Sequence, residues 1–212
     1  MLAYSILKIN QREGIFMAEK ILKEPEFLKG KLLIAMPNMG DTRFERAVVF
    51  MCDHDENGAM GLIVNQTIPE IEFSDLVNQL KIHSDITIGT PVTDMIVMNG
   101  GPVEAARGFL LHSGEFNKKD TMTFGSDYGV TGTVDALKDV IQGCGPAQKL
   151  FMLGYAGWGA GQLEAELQHN SWLVVEPDPA IIFHDDNTEK WAMAIAKLGF
   201  EPGMLSVVSG RA

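Results

Sequence analysis

Two apolar, β-branched runs on either side of a short polar segment constrain the fold of this chain more than any other feature. The runs cover residues 47–52 and 60–65, and the segment between them contains the pair Asn57-Gly58. Asparagine and glycine tolerate the positive φ angles that tight hairpin turns require. The pattern therefore predicts an antiparallel hairpin whose turn lies at residues 56–58.

The other strands and helices are predicted from apolar periodicity and from capping residues. Ser74 and Thr133 are placed to cap two of the helices. Strands are predicted at residues 31–36, 95–98, 108–112, 150–153, 172–175 and 180–183. Helices are predicted at residues 75–82, 134–142, 160–168 and 189–198. Because strands come first and helices later alternate with single strands, the order favours an α+β fold over a doubly wound α/β sheet.

The length of the chain suits one domain of ordinary size. Its 212 residues are 46% hydrophobic and 21% charged, which is typical of a globular protein. The first 30 residues are mixed in charge and weakly periodic, and Met17 is an alternative start within them. We therefore predict an N-terminal appendage at residues 1–27 and a single domain at residues 28–212.

Charge and hydropathy argue against two classes of partner. The chain is acidic, with a formal charge of −11 at pH 7. An acidic surface repels phosphate backbones, so no direct contact with nucleic acid is expected. No run approaches the roughly 18 apolar residues of a membrane span, and the amino terminus lacks the features of a signal peptide. We expect a cytoplasmic location without membrane contact, and buried thiols at Cys52 and Cys144 rather than a disulfide.

Three patterns that could indicate a bound ion or cofactor are incomplete. The acidic segment at residues 53–58 matches the first half of a calcium loop, but Val64 stands where the closing carboxylate belongs. The glycine-rich segment at residues 154–162 has neither the dinucleotide-binding spacing nor the lysine of a phosphate loop, and a tight turn between a strand and a helix is expected there. The histidines show no metal-ligand spacing. We expect no metal and no cofactor.

His54 is the first candidate for a general base, because histidine titrates near neutral pH and two aspartates flank this one. Adjacent residues in a turn rarely converge on one point. An exposed turn histidine is therefore the simpler interpretation.

Several motifs resemble, in order and spacing, the YqgE/AlgH family of bacterial proteins. They lie at residues 36–44, 57–65, 100–102, 107–112 and 154–164, within a match that runs from about residue 28 to the end of the chain. The resemblance implies an α+β fold in which a bent antiparallel sheet closes into a pseudo-barrel with helices packed outside, in a cytosolic protein. One branch of the family is named as an alginate transcriptional regulator. Thr42 and Arg211 depart from the family pattern, which usually has proline and histidine there.

Two hypotheses about function follow. The first is a non-enzymatic regulatory or interaction protein with an unknown protein or small-molecule partner and an indirect effect on transcription. The alternative is a small-molecule-binding protein or a hydrolase whose site lies near Asp41, Arg43, His54 and Trp158. Catalytic groups must lie within hydrogen-bond reach of one substrate position, so their convergence discriminates between the two hypotheses.

The predicted site lies where three turns that follow apolar strands come together. Turns at one edge of a sheet can cluster on a rigid base. The candidate residues are Asn38, Asp41, Arg43, Asn99, Gly100, Gly101, Tyr155, Trp158 and Gln162. The simpler account is that these are separate turns with strict backbone requirements, which glycine conformations and an Asp-Arg tie satisfy.

Deletion of residues 1–16 is expected to leave the melting temperature nearly unchanged, because the predicted appendage contributes little to the core. Thermal unfolding followed by circular dichroism measures this. A large drop in the melting temperature would show that the segment is integral to the domain.

Overall fold

The computed structural model describes residues 27–80 and 95–200. In these residues ten strands form one strongly curled half-barrel sheet, with helices packed against it. The strands are β1 Leu32–Ala35, β2 Val48–Asp55, β3 Gly58–Ile63, β4 Thr67–Glu72, β5 Ile96–Asn99, β6 Val103–Ser113, β7 Met122–Phe124, β8 Tyr128–Thr131, β9 Lys149–Gly159 and β10 Trp172–Val175. The helices are α1 Phe73–Gln79, α2 Val134–Ile141, α3 Gln162–Gln168, α4 Pro179–Ile182 and α5 Lys190–Lys197. The predicted α+β class and bent sheet are confirmed. The predicted appendage at residues 1–27 lies almost entirely outside the described residues.

Strand β9 joins the two halves of the sheet. The strand order is β10-β1-β2-β3-β9-β6-β8-β7, and every pair of neighbours along this path is antiparallel. β3 pairs with residues 156–159 of β9, while β5 runs parallel to residues 151–153 and pairs in turn with β4. The sheet is therefore mixed at this one pairing, although antiparallel pairing dominates it.

The hairpin predicted around Asn57-Gly58 is confirmed. β2 and β3 pair in antiparallel register, from Val49 opposite Ile63 to Asp55 opposite Gly58. The backbone N–H of Asn57 donates to Asp55 Oδ1 at 2.7 Å, which closes the turn locally.

Strand β2 is buried on both faces. Val48 and Phe50 belong to one hydrophobic cluster, and Val49 and Met51 belong to another. All four side chains are fully buried. Because successive strand residues point to opposite faces, the two clusters lie on opposite sides of the sheet.

The described helices are too short to be stable on their own, so their packing against the rest of the protein stabilises them. α2 begins where the sequence predicts, since Thr133 Oγ1 accepts a hydrogen bond from the backbone N–H of Ala136 at 3.4 Å. Within residues 27–80 and 95–200 no helix has the length and apolarity needed to cross a membrane.

The strand predicted at residues 180–183 is wrong. Helix α4 covers Pro179–Ile182, and the Asp178 side chain accepts from the backbone N–H of Ala180 at 3.0 Å. An aspartate N-cap followed by proline at the first helical position starts a helix, and this local signal outweighs the apolar run.

The turn predicted at residues 154–162 is also wrong over most of its length. Residues 154–159 continue β9 as strand, and the chain turns only between Gly159 and the start of α3 at Gln162. β3 and β6 provide pairing partners on this stretch, so ladder hydrogen bonds outweigh the weak strand propensity of glycine.

Two smaller expectations fail. Helix α1 begins at Phe73 with Glu72 as its N-cap, and the Ser74 hydroxyl donates to the Glu72 carboxylate instead of capping. Of the two cysteines, Cys52 is buried as expected but Cys144 is exposed; both are free thiols.

Replacing Gly101 with alanine is expected to destabilise the fold by about 3 kcal/mol or more, from the combined cost of a strained positive φ and overpacking. Gly101 has φ +145°, and an added Cβ would lie 2.2 Å from the carbonyl carbon of Tyr155 in β9. Chemical denaturation of the variant measures the change.

The matched control is Gly143→Ala. Gly143 also has a positive φ of +76°, but a Cβ there meets nothing within 4 Å. It should therefore cost only the conformational strain of about 1–2 kcal/mol. Equal losses in the two variants would contradict the proposed steric contact with β9.

Candidate functional site

Asp41 and Arg43 form the Asp-Arg tie that the simpler account of separate turns expects. Asp41 precedes a single 3-10 turn over Thr42–Phe44, and its Oδ1 accepts the backbone N–H of Arg43 at 3.0 Å. The Arg43 guanidinium also donates to both carboxylate oxygens, from Nη2 at 2.6 Å and from Nε at 3.0 and 3.1 Å. These hydrogen bonds hold the pKa of the Asp41 carboxyl below its usual value. Each charged group is therefore engaged by the other.

Two side chains from the segment after β3 hold the loop that contains this tie. Gln66 Nε2 donates to the carbonyl of Arg43 at 3.0 Å, and Asn65 Nδ2 donates to the carbonyl of Arg46 at 2.8 Å. Asn65 Oδ1 also accepts the backbone N–H of Val48 at 2.8 Å. Arg46 has φ +50°, which is uncommon for a residue with a side chain, and the Asn65 bonds hold it there.

The second predicted turn is linked to this loop through Gln66. Asn99 Nδ2 donates to Gln66 Oε1 at 3.3 Å, and Asn99 Oδ1 accepts the backbone N–H of Gly101 at 3.2 Å. Gly100 is buried against β9, where its N–H donates to the Leu153 carbonyl at 2.8 Å. The structure therefore brings the first two turns together through a residue that the sequence does not single out.

The same loop packs through Phe44 against an aromatic cluster on one face of the sheet. Phe44 stacks on Trp158 with ring centroids 6.3 Å apart and meets Trp172 edge-on at 5.6 Å. Glu166 Oε2 accepts from both indole N–H groups, at 2.9 Å from Trp158 and 2.7 Å from Trp172. Gln162 Nε2 donates to Glu166 Oε1 at 3.0 Å. One carboxylate thus satisfies two indoles that are at most 6% exposed.

Tyr155 and Trp158 are separated, although the sequence groups them in one turn. Because residues 154–159 form a strand, Tyr155 packs near Phe109 on one face while Trp158 joins Ala156 on the other. Asn38 is exposed on the loop. Tyr155 therefore lies on the opposite face of the sheet from Trp158, so the nine candidate residues do not share one face.

His54 is buried, which corrects the expectation of an exposed turn residue. The pairing of β2 with β3 shifts between Met51 and Asp53, so that a bulge at Cys52 reverses the alternation of faces. His54 consequently lies on the face of Val49 and Met51, and its side chain is only 3% exposed.

Both ring nitrogens of His54 are occupied. The backbone N–H of Leu28 donates to Nδ1 at 3.0 Å, so that nitrogen is an acceptor and Nε2 carries the proton. Nε2 is 2.9 Å from Glu164 Oε1 and donates to it. The Glu164 pKa is lowered chiefly by its own backbone N–H in the first turn of α3, with a smaller effect of His54.

Two further buried bases are engaged within the protein. His112 lies between the Ser113 carbonyl, 2.9 Å from Nδ1, and Thr131 Oγ1, 3.0 Å from Nε2, and burial lowers its pKa. Lys190 Nζ donates to the carbonyl of Val64 at 2.8 Å, and burial lowers its pKa to about 8. Both side chains are fully buried, so neither amine nor ring reaches the surface.

The ionisable side chains described above are bonded within the protein. In the described part of the chain, no three histidine, cysteine, aspartate or glutamate side chains are arranged to hold a metal ion. His54 is tied to Leu28 and Glu164, whereas Asp41 and Arg43 are tied to each other. What this arrangement does offer is a rigid, exposed polar loop over a buried aromatic base.

Sequence reasoning missed Gln66, Asn65, Glu166 and Glu164, which hold the site together. Each bonds to a group in another element, and Glu164 is 110 positions from His54. No local pattern marks such partners, because their role depends on which elements become neighbours.

The chain is similar to a group of bacterial proteins over almost its whole length. A family model described as AlgH-like, DUF179, matches residues 32–203. A UPF0301 protein of Beijerinckia indica is 49% identical over 191 residues, covering 88% of this chain and 93% of the relative. A UPF0301 protein of Rhodospirillum rubrum is 41% identical over 197 residues, covering 92% of this chain and all of the relative.

Two solved structures share the fold. The solution structure of the AlgH protein from Pseudomonas aeruginosa superposes with a TM-score of 0.71 at 38% identity, covering 90% of this chain and 98% of that one. A crystal structure of a protein from Corynebacterium diphtheriae gives a TM-score of 0.66 at 16% identity, covering 88% and 93% of the two chains. The second similarity shows the fold alone.

Replacing Glu166 with alanine is expected to cost about 2–4 kcal/mol of unfolding free energy, because two buried indole N–H groups lose their acceptor. Tryptophan fluorescence during urea unfolding measures the change and also reports on both indoles. Gln168→Ala, on the exposed side of the same helix, should change stability by less than about 0.5 kcal/mol. If the two variants were equally stable, the shared carboxylate would not be the anchor of the aromatic cluster.

Proposed function

Because this chain belongs to the AlgH-like family, we propose that it is a non-enzymatic regulatory or interaction protein that binds a protein partner through residues 38–46, here called the anchored loop. The observation that carries this proposal is that the loop is exposed and polar yet held at several points. Gln66 and Asn65 bond its carbonyl groups, and the Phe44 ring packs against two tryptophans. A loop held in one conformation loses less entropy when it binds.

The side chains on the outside of the anchored loop suit a protein interface. Asn38, Thr42, Arg43 and Arg46 are exposed. Arginine is enriched among the residues that dominate binding energy, and its planar fork bonds carboxylates and carbonyls in fixed directions. The guanidinium of Arg43 bonds Asp41 through Nε and Nη2, and Nη1 takes no part in this pair. Asp41 thus orients Arg43 for a partner.

The state of the titratable groups favours binding over catalysis. A general base needs a free lone pair within reach of a substrate proton. His54 is buried, and its one lone-pair nitrogen accepts from the Leu28 backbone. Asp41 is neutralised by Arg43. A hydrolase using Asp41, Arg43 and His54 beside Trp158 would have to break these bonds first.

We place this activity in the cytoplasm and assign any effect on transcription to a protein partner. The formal charge of −11 supports this assignment, because electrostatic attraction to phosphates supplies most of the affinity of DNA-binding proteins. An acidic chain repels phosphate groups instead of attracting them. A regulatory role would therefore be transmitted through the partner that the anchored loop contacts.

The test compares the tagged wild-type chain with the variant Asn38→Ala/Arg43→Ala in capture from native lysate, followed by affinity measurement with the purified partner. The substitution keeps both main-chain bonds of Arg43, so the loop retains its anchors. We expect at least about tenfold weaker binding, because interface arginines often contribute more than 1 kcal/mol.

The matched control replaces one exposed cation and one exposed amide elsewhere, as Lys119→Ala/Gln168→Ala. It should bind the partner like the wild type. Recovery of the same partners with equal affinity by all three proteins, each shown to be folded by circular dichroism, would overturn the proposal. So would recovery of no partner at all.

A further inference from the structure

A pocket of about 610 Å³ lies on the side of the sheet where helix α1 and the start of α2 face strands β6 and β9. Its volume falls within the range of about 300–1,000 Å³ that is usual for small-molecule sites. None of its lining residues belongs to the anchored loop. Any ligand bound here would therefore be independent of the protein partner proposed above.

A break in the sheet makes room for this pocket. The pairing of β6 with β9 shifts between Val103 and Gly108, and Glu104 within this stretch has φ +48°. Ala105 and Ala106 of the same stretch form one wall of the pocket. Irregular strand segments of this kind often lie beside binding sites, and two small side chains here leave the space open.

The lining of the pocket is mainly apolar, with Gln79, Thr131 and Thr133 as its polar side chains in the described part of the chain. Its buried wall is formed by Leu110, Leu137, Phe151 and Leu153, each at most 8% exposed. No side chain that lines it in the described part of the chain carries a charge. A charged ligand group would therefore lose its hydration without gaining a partner, which is costly.

The hydroxyl groups of the lining are already used within the protein. Thr131 Oγ1 bonds to His112 Nε2 at 3.0 Å and to Thr121 Oγ1 at 2.7 Å. Thr133 Oγ1 accepts the backbone N–H of Ala136 at the start of α2. What the wall offers a ligand is therefore mainly apolar contact.

The mouth of the pocket is also apolar. Leu80 and Val134 line it and are 48% and 46% exposed, whereas most large apolar side chains within residues 27–80 and 95–200 are buried. Exposed apolar residues that surround a concave pocket mark binding sites more often than isolated ones do. The apolar lining of the pocket thus extends to its solvent-exposed opening.

We propose that this pocket binds an uncharged, largely apolar small molecule such as a fatty alcohol, whose hydroxyl group stays in the solvent beyond the apolar mouth. The net charge of −11 further disfavours an anionic ligand such as the corresponding fatty acid. Burial of apolar ligand surface supplies the affinity. The ligand is thus distinguished by its lack of charge.

The first experiment titrates the full chain with N-phenylnaphthylamine, a neutral apolar fluorophore whose emission rises in apolar surroundings. We expect saturable binding of one probe per chain. A medium-chain fatty alcohol should displace the probe, and the fatty acid of the same length should require at least about tenfold more, in line with the cost of bringing an anion to this site.

Two variants that fill the pocket connect binding to this place. Ala106→Phe enlarges the wall, and Gly132→Phe adds a ring where a Cβ makes only ordinary contacts, the closest at 3.7 Å. Each should weaken probe binding at least about tenfold. Ala165→Phe on exposed helix α3 is the matched control and should bind like the wild type.

Circular dichroism establishes that all the variants are folded. Absence of saturable probe binding by the wild type would overturn the proposal, and so would unchanged binding in both folded filling variants. Equal displacement by the alcohol and the acid would refute the assignment of an uncharged ligand. These results are independent of protein capture by the anchored loop, so the two proposals can fail separately.

Discussion

The close contact between two backbone segments, Gly100-Gly101 and the middle of β9, is the constraint on which the rest of this structure depends. An added Cβ on Gly100 would lie 2.3 Å from the carbonyl oxygen of Gly154, and one on Gly154 would lie 2.3 Å from that of Gly101. No other residue type allows the two backbones to approach so closely. The Gly100 carbonyl also accepts the backbone N–H of Ile63 at 2.9 Å, which joins β3 to the same junction. Strand β9 carries Trp158, against which Phe44 of the anchored loop stacks, and also Phe151 and Leu153, which line the apolar pocket.

Buried polar groups connect the helices to this sheet in specific places. Glu164 reaches His54 from α3, while Glu166 of the same helix accepts from two indoles. Lys190 of α5 donates to the carbonyl of Val64. A buried polar group without a partner is costly, so each of these contacts favours one position of the helix over its alternatives. His54, the candidate general base of the sequence, and Lys190 thus both link elements of the fold.

The two proposed surfaces differ in chemistry and in their relation to β9. The anchored loop presents exposed polar groups over the cluster of Phe44 and the tryptophans, whereas the pocket presents apolar groups around Phe151 and Leu153. Phe151 and Leu153 belong to the half of β9 that pairs with β5, and Trp158 belongs to the half that pairs with β3. A single strand thus carries both surfaces on a rigid base, which suits preorganised binding.

The sequence by itself determined the features that depend on neighbouring residues. The hairpin around Asn57-Gly58, the Thr133 cap of α2 and the tie between Asp41 and Arg43 all follow from local chemistry, and all are present. The family resemblance correctly implied the curled sheet.

Tertiary structure alone decided the features that depend on distant partners. Residues 154–159 became strand because β3 and β6 supply ladder bonds, and strand alternation then placed Tyr155 and Trp158 on opposite faces. A bulge at Cys52 turned His54 into the core, where residues 26 and 110 positions away satisfy it. Hydrogen bonds and burial depend on which surfaces meet in space, and the spacing of residues along one chain does not contain that information.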